Sequence, residues 1–377
     1  MRRRTLPAVL AVAVLLLGAC AGTDDATDAD ETTATATVAT DETTDDAADD
    51  EPAEVTWEAV SPGGDCQCAD GSEYRYWVSE GDPTRVAFFL QGGGACFTAE
   101  TCAFEGGGTT YKVTVTDADD PSDGSGLLDL TDGRNPLEGW SMVYVPYCTG
   151  DVHLGDATTE YSDELTVQHK GAVNATAALD DLTDRFPDAA EVLVAGESAG
   201  SIATPYYAGL AHDRLPDAEI TVLADGSGAY PDVPAVNATI GALWGTLNAV
   251  PDWPTNADVT AENWSLPGLF VRAGAHAPDI TFARHDYAYD ATQEFFAALA
   301  GIADGTVLSQ MDANEVLIED TGVDLLSFTS PGDDHTILSQ SSVWEHEAEG
   351  VRLIDWITDL VEGDPVADVH CTECEAG

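Results

Sequence analysis

Short apolar runs and polar stretches follow one another along most of this chain, and the runs predict strands and helices in alternation. Tyr74–Val78 (YRYWV), Arg85–Leu90 (RVAFFL), Ser141–Pro146 (SMVYVP), Glu191–Ala195, Glu219–Ala224 (EITVLA) and Leu325–Phe328 read as strands. Helical spacing marks Glu164–Phe186 (Leu165, Ala172, Ala175, Leu179, Leu182, Phe186), with Pro187 just past its end. It also marks Ala291–Leu299 and Val343–Leu360 (Trp344, Val351, Ile354, Ile357, Leu360). Such alternation implies an α/β fold, a mainly parallel sheet with helices on both faces. Functional groups of such sheets gather at the carboxyl ends of the strands. Residues 227–285, rich in Pro, Ala and Trp, have weak periodicity and read as a cap or an insertion beside that end.

The first 52 residues break the pattern. In MRRRTLPAVLAVAVLLLGAC, three arginines precede an apolar stretch, the layout of a secretory signal. The stretch is short for a membrane span of about 20 residues. It ends Leu17-Gly18-Ala19-Cys20, which resembles a lipobox and makes Cys20 the expected lipid-modified residue and membrane anchor. Simple signal cleavage nearby is the alternative. Residues 21–52 are almost entirely Asp, Glu, Thr and Ala, with Val38 the one large aliphatic. They cannot bury enough apolar surface to offset ordering, and read as an acidic disordered tether. The expected organisation is therefore a signal at 1–20, a linker at 21–52 and a catalytic domain at 53–377.

Charge narrows the partners. The 377 residues include 69 acidic and 13 basic ones, a net charge of −56, and the lysines number two, Lys112 and Lys170. Residues 53–377 alone carry 57 acidic and 10 basic residues, net −47. Such a field repels nucleic acid and anionic lipid headgroups and disfavours strongly anionic substrates. It is either an ordinary solvated acidic surface or an adaptation to high salt, where ions screen self-repulsion.

Cysteines stand at 20, 66, 68, 96, 102, 148, 371 and 374. A secretory signal implies an oxidising compartment, so disulfides are expected. Cys96 and Cys102 are close enough to close a small loop. Cys66-x-Cys68 and Cys371-x-x-Cys374 suggest a bridge stapling the two ends of the folded part. The rival is a four-cysteine metal site.

The candidate chemistry centres on EVLVAGESAGSIATPYY (191–207). A hydrophobic run meets Gly196-Glu197-Ser198-Ala199-Gly200, and small helix-tolerant residues follow. A Gly-x-Ser-x-Gly between strand and helix presents a serine hydroxyl at the head of the helix, with the amide of Ala199 aimed at the reacting carbonyl. The machinery should then follow a set order: oxyanion loop before, acid after, histidine last. Gln91-Gly92-Gly93-Gly94 directly follows a strand and supplies the loop. Of eight histidines, His335 follows the last expected strand, where a base can swing over Ser198. The others are His153, His169, His212, His276, His285, His346 and His370. Asp290 is the first choice of acid and Asp286 its close competitor. Asp225 comes early, and Asp333 and Asp334 stand too near His335.

Six stretches carry a resemblance: CADGS (68–72), FFLQGGGACF (88–97), VPYCTGDVHLGD (145–156), GESAGS (196–201), YDATQ (289–293) and DDHTI (333–337). Together the chain resembles the pectin acetylesterase and Notum carboxylesterase family, within the α/β-hydrolase class. The resemblance implies Ser198 as nucleophile, Asp290 as acid and His335 as base. It implies oxyanion donors at Gly93, Gly94 and Ala199, and an Asp151 that lines or braces the substrate pocket. No metal or organic cofactor is required. Two positions depart from the family, Gln91 for the usual Glu and Ala95 for the usual aromatic, and both are expected to alter the pocket wall. The implied activity is hydrolysis of short acyl esters, acetyl on polysaccharide first, outside the cytoplasm. Lipid-type esters are the enzymatic alternative, and a surface-tethered, non-catalytic glycan-binding protein is the alternative of another class.

Overall fold

The computed structural model describes residues 55–106 and 108–374. The expected signal, Cys20 and the linker 21–52 lie outside the described residues. Strands β1 (Trp57–Val60), β2 (Tyr76–Ser79), β3 (Asp82–Leu90) and β4 (Trp140–Val145) come first. A hairpin of β5 (Ala157–Ser162) and β6 (Leu165–His169) leads into α1 (Gly171–Arg185). Then come β7 (Glu191–Glu197), α2 (Ala199–Arg214), β8 (Glu219–Asp225), α3 (Pro234–Trp244) and α4 (Leu266–His276). β9 (Thr281–Tyr287), α5 (Ala291–Leu299), α6 (Val307–Glu319) and β10 (Leu325–Ser330) follow. β11 (Glu347–Ala348), β12 (Val351–Arg352), α7 (Leu353–Val361) and β13 (Val369–His370) finish the described chain.

A nine-stranded sheet runs β1-β2-β4-β3-β7-β8-β9-β10-β13. β2 is antiparallel to both its neighbours, and every pair from β4 to β13 is parallel. On β3, Val86, Phe88 and Leu90 enter one core and Ala87 and Phe89 the other, all at 0% exposure. Parallel strands covered on both faces need apolar residues at every position, which is why RVAFFL and VLVA are unbroken runs. Ala175, Leu179 and Leu182 of α1 and Ala203 and Tyr207 of α2 fill the first face. Leu353, Ile357 and Leu360 of α7 fill the second, with Leu127, Leu130 and Leu137. β4 flanks β3 on one side and β7 on the other, so the connections part and open a crevice at the carboxyl ends of β3 and β7. The α/β class expected from the sequence holds.

Four expectations are corrected. The helix at 164–186 begins only at Gly171, because Leu165–His169 is a strand paired with β5. Its β-branched Thr166 and Val167 pair with Glu160 and Thr159, and the Leu165–Ala172 interval matched a helical period by coincidence. The helix at 343–360 begins only at Leu353. Before it, β11 and β12 form a hairpin across Glu349 and Gly350, at φ 51° and 80°, the left-handed pair that a two-residue turn needs. The cap at 227–285 is shorter than expected, since β9 belongs to the main sheet and α4 sends Phe270 and Ala273 into the core beside Phe282 of β9.

The fourth concerns cysteines. The disulfides are Cys68–Cys148, Cys96–Cys102 and Cys371–Cys374, and among the described residues Cys66 has no disulfide partner. The short loop is as expected; the staple between the ends is not formed, and neither is a four-cysteine cluster. Cys68 is bonded to Cys148, just after β4 on one side of the sheet, and β13, beside Cys371, is the opposite edge. Strand spacings of about 4.8 Å each separate them.

Candidate active site

The turn after β7 is built by small residues. A Cβ on Gly196 would stand 2.7 Å from the backbone carbon of Gly200, and one on Gly200 would strike the carbonyl of Leu90. With both glycines in place the chain reverses sharply, and Ser198 takes φ 52°, ψ −119°. A non-glycine residue held there stores on the order of 1–3 kcal/mol of strain. The Ser198 N–H donates to the Asp225 carbonyl (2.7 Å), and the Ser201 hydroxyl donates to the Ser198 carbonyl (2.7 Å). Ser198 is half-buried at the mouth of the crevice, and Ala199 opens α2. As the first helical residue, Ala199 has an N–H with no intrahelical partner.

Asp290 caps α5. Its Oδ1 accepts from the backbone N–H groups of Thr292 (2.8 Å) and Gln293 (2.9 Å). Its Oδ2 accepts from Gln293 Nε2 (3.0 Å) and lies 2.6 Å from His335 Nδ1. His335 sits on the loop after β10, and its Nε2 has no hydrogen-bond partner among the described residues. Burial opposes the charged imidazole, but the bond to Asp290 and the charges of Asp290, Asp225 and Asp286 outweigh it, so His335 binds a proton more tightly than an ordinary histidine. Asp286 does not touch His335: it accepts from Gly228 N–H (2.8 Å) and Gln293 Nε2 (2.9 Å) and pairs with Arg284 at 3.1 Å. Gln293, absent from the expectations although it ends the YDATQ run, thus aligns both carboxylates.

The glycine loop follows β3. Gly94 has φ 77°, and a Cβ there would strike the Thr110 carbonyl. Neither Gly93 nor Gly94 spends its N–H on a carbonyl or side chain among the described residues. Gln91 anchors the loop from beneath: its Oε1 accepts from Tyr147 N–H (3.0 Å) and Lys112 Nζ (2.8 Å), and its carbonyl contacts His153 Nε2 (2.9 Å). Gln91 is therefore a brace rather than the wall expected, whereas Ala95 does line the cleft. Burial pushes His153 down to about 4, so it is neutral.

Of the two places expected for Asp151, lining or bracing, the geometry is that of a brace. Asp151 is 0% exposed and lies under the wall, accepting from the Thr149 hydroxyl (2.6 Å) and the Gly171 N–H (2.8 Å), while its neighbour Val152 faces the cleft. Burial pushes its carboxyl up to about 7. The remaining buried histidine of the hairpin, His169, bonds the Thr149 carbonyl and Tyr161 and is not free for chemistry.

Ser198, Ala199 and Gly94 open into a cleft. Phe97, Ile202, Ile240, Trp244 and Phe296 give it an apolar wall. A second cavity, reaching Leu154, Trp264 and Leu269, shares Val236, Ile240, Trp244 and Leu266 with it.

A sequence model of the pectinacetylesterase family matches residues 49–247, just over half the chain. That stretch holds the glycine loop and Ser198 but ends before Asp290 and His335. Pectin acetylesterase 4 of Arabidopsis thaliana is 27% identical over 165 residues, 42% of this chain and 40% of the relative. The human palmitoleoyl-protein carboxylesterase NOTUM is 32% identical over 140 residues, 35% of this chain and 27% of the relative. The inactive palmitoleoyl-protein carboxylesterase notum1b of Danio rerio is 31% identical over 110 residues, 28% of this chain and 76% of the relative. The matched segments thus span about a quarter to two fifths of the first two relatives' lengths. With a family match over more than half of its length, laid on this fold, the chain belongs to the pectinacetylesterase family.

Proposed function

We propose that the protein is a serine carboxylesterase acting outside the cytoplasm. The observation that carries the reading is the Ser198 turn at the cleft together with a His335–Asp290 pair whose Nε2 is unclaimed. One relative is named inactive, so family membership does not decide activity by itself; a complete set of nucleophile, base and acid supports it here. In the proposed reaction His335 takes the Ser198 proton as the oxygen attacks an ester carbonyl. The amides of Gly93, Gly94 and Ala199 receive the developing oxyanion, a role in which one lost donor costs about 10²–10³ in rate. His335 then protonates the leaving alcohol and activates water for deacylation.

An acetyl group, expected from the sequence, has a single methyl to set against the apolar wall of Phe97, Ile202, Ile240, Trp244 and Phe296. The wall supports an acyl chain of several carbons instead, and the net charge argues against polyanionic pectin as its carrier. Disulfides and the signal-like N-terminus support export, with Cys20 as the proposed lipid anchor. The test is hydrolysis of p-nitrophenyl esters from acetate to palmitate by wild type and Ser198→Ala. Each buried CH₂ is worth about 0.8 kcal/mol, so kcat/KM should rise about fourfold per carbon at most until the cleft is full. Ser198→Ala should remain folded and inactive. A maximum at acetate would return the reading to acetylated glycans, and a folded wild type inert on every ester would favour the binding protein.

A further inference from the structure

A second chain of hydrogen bonds lies behind Ser198 and His335, and the proposed reaction does not use it. Asp225, at the end of β8, is 0% exposed. Its backbone carbonyl receives the Ser198 N–H at 2.7 Å. Its Oδ2 accepts from the backbone N–H groups of Ile337 (2.7 Å) and Leu338 (3.0 Å), two and three residues after His335. Its Oδ1 lies 2.7 Å from Nδ1 of His285 on β9, the strand that delivers Asp290. His285 Nε2 lies 2.8 Å from the Ser330 hydroxyl at the end of β10, and that hydroxyl lies 2.7 Å from His346 Nε2. Next door on β7, Glu197 accepts from the Ser339 N–H (2.7 Å) and hydroxyl (2.8 Å).

Ser330, His285 and Asp225 stand in the order of a catalytic triad, yet all three are at 0% exposure, so no substrate reaches Ser330. A carboxylate is costly to bury unless its oxygens are occupied. Here they are occupied by the loop that carries His335 and the strand that leads to Asp290. We propose that Asp225 is a positioning residue of the esterase site, locking the His335 loop to the Ser198 turn and, through His285, to the strand that supplies Asp290. This inference rests on the Ser198–His335–Asp290 reading above.

The direction of the protons follows from the donors. With His285 as the neutral ring, its Nδ1–H donates to Asp225, the Ser330 hydroxyl donates to its Nε2, and His346 Nε2–H donates to Ser330. Burial pushes His346 down to about 4, consistent with a neutral ring at the end of the chain. An asparagine at 225 can reverse every bond: its oxygen keeps Ile337 and Leu338, its amide donates to His285, and the donors beyond turn round. Asp225→Asn therefore removes charge and keeps position, while Asp225→Ala removes both. The groups whose charge bears on His335 are Asp290, Asp225, Asp286 and Glu197. Those around Asp225 are Glu197, His285, His335, Tyr287 and His346.

The experiment is the pH dependence of kcat and KM on the best p-nitrophenyl ester for wild type, Ser198→Ala, Asp225→Ala and Asp225→Asn, with folding followed by near-ultraviolet circular dichroism. Asp225→Ala should lower kcat about 100-fold with little change in KM, as misplacement of a catalytic group does. Asp225→Asn should recover most of kcat and move the acid limb to lower pH, because a negative charge near His335 is gone. Glu197 ionises more readily in that variant, so adding Glu197→Gln should widen the shift. A folded Asp225→Ala with kcat within about threefold of wild type overturns the proposal. If Asp225→Ala does not fold, Asp225→Asn decides, and full kcat with an unmoved acid limb overturns it. A wild type no more active than Ser198→Ala would instead defeat the esterase reading itself.

Discussion

Asp290 and Asp286 stand four residues apart at the end of one strand, and only the partners of each separate their roles. Asp290 holds His335, whereas Asp286 is spent on Gly228, Gln293 and Arg284. Asp290→Asn should leave the fold intact and lower kcat by about 10⁴, the loss that a misassigned imidazole tautomer causes in a serine protease. Asp286→Asn should cost far less, and parallel kcat/KM measurements on one ester check the pair. Ser198 and His335 were legible because order along the chain and position after a strand are properties of sequence. Lining and bracing stayed open for Asp151 because a carboxylate in a glycine-rich loop looks the same in sequence whether it faces a cleft or lies beneath one. Glu197 and Asp225 carried a signal of their own, acidic residues at the ends of otherwise apolar strands, but their partners 112 to 142 residues away did not.

At the scale of elements, the buried strands were readable because burial on both faces removes any polar position. The two helices that came out too long failed for a shared reason: a hairpin strand of five residues or fewer can present apolar residues at intervals that also suit a helix. α3 shows the opposite case. It is an apolar helix, PAVNATIGALW, of which Trp244 is the buried residue, and it divides the cleft from the second cavity. Its weak periodicity reflects that position, since both faces meet apolar space. Ile240 lines both cavities, so Ile240→Trp should fill the cleft. We expect kcat/KM for octanoate to fall about tenfold or more while acetate changes little, as chain-length discrimination by a pocket wall requires. An equal loss on both esters would place the acyl chain elsewhere.

For the whole molecule, buried titratable groups pull stability in two directions with pH. Burial holds His153, His169 and His346 at about 4, so the stability they contribute is present above their unfolded value of about 6.5 and is lost as pH falls through 4. Asp151 at about 7 acts oppositely: its contribution is present below its unfolded value of about 3.9 and is lost as pH rises through 7. Glu197, raised by burial and then by Asp225, has the sign of Asp151. At high ionic strength the three histidines lower the melting temperature as pH falls below about 6.5, and Asp151, Glu197 and Asp286, whose carboxyl is also pushed up by burial, oppose that fall. Asp151→Asn should steepen that fall, because the compensating carboxyl is gone; parallel curves for the two proteins would contradict it. High salt is needed so that screening of the acidic surface is constant. The Cys68–Cys148 bond has a consequence of another kind. It closes a ring of 80 residues, a constraint worth about 4.5 kcal/mol in chain entropy and comparable to a domain's whole stability. Gly93 and Gly94 lie inside that ring and Ser198 outside it. Under the proposed export, a chain still in a reducing cytoplasm would carry Ser198 without its glycine loop covalently fastened, so oxidation outside would tighten the proposed site only where the cell's own esters are out of reach.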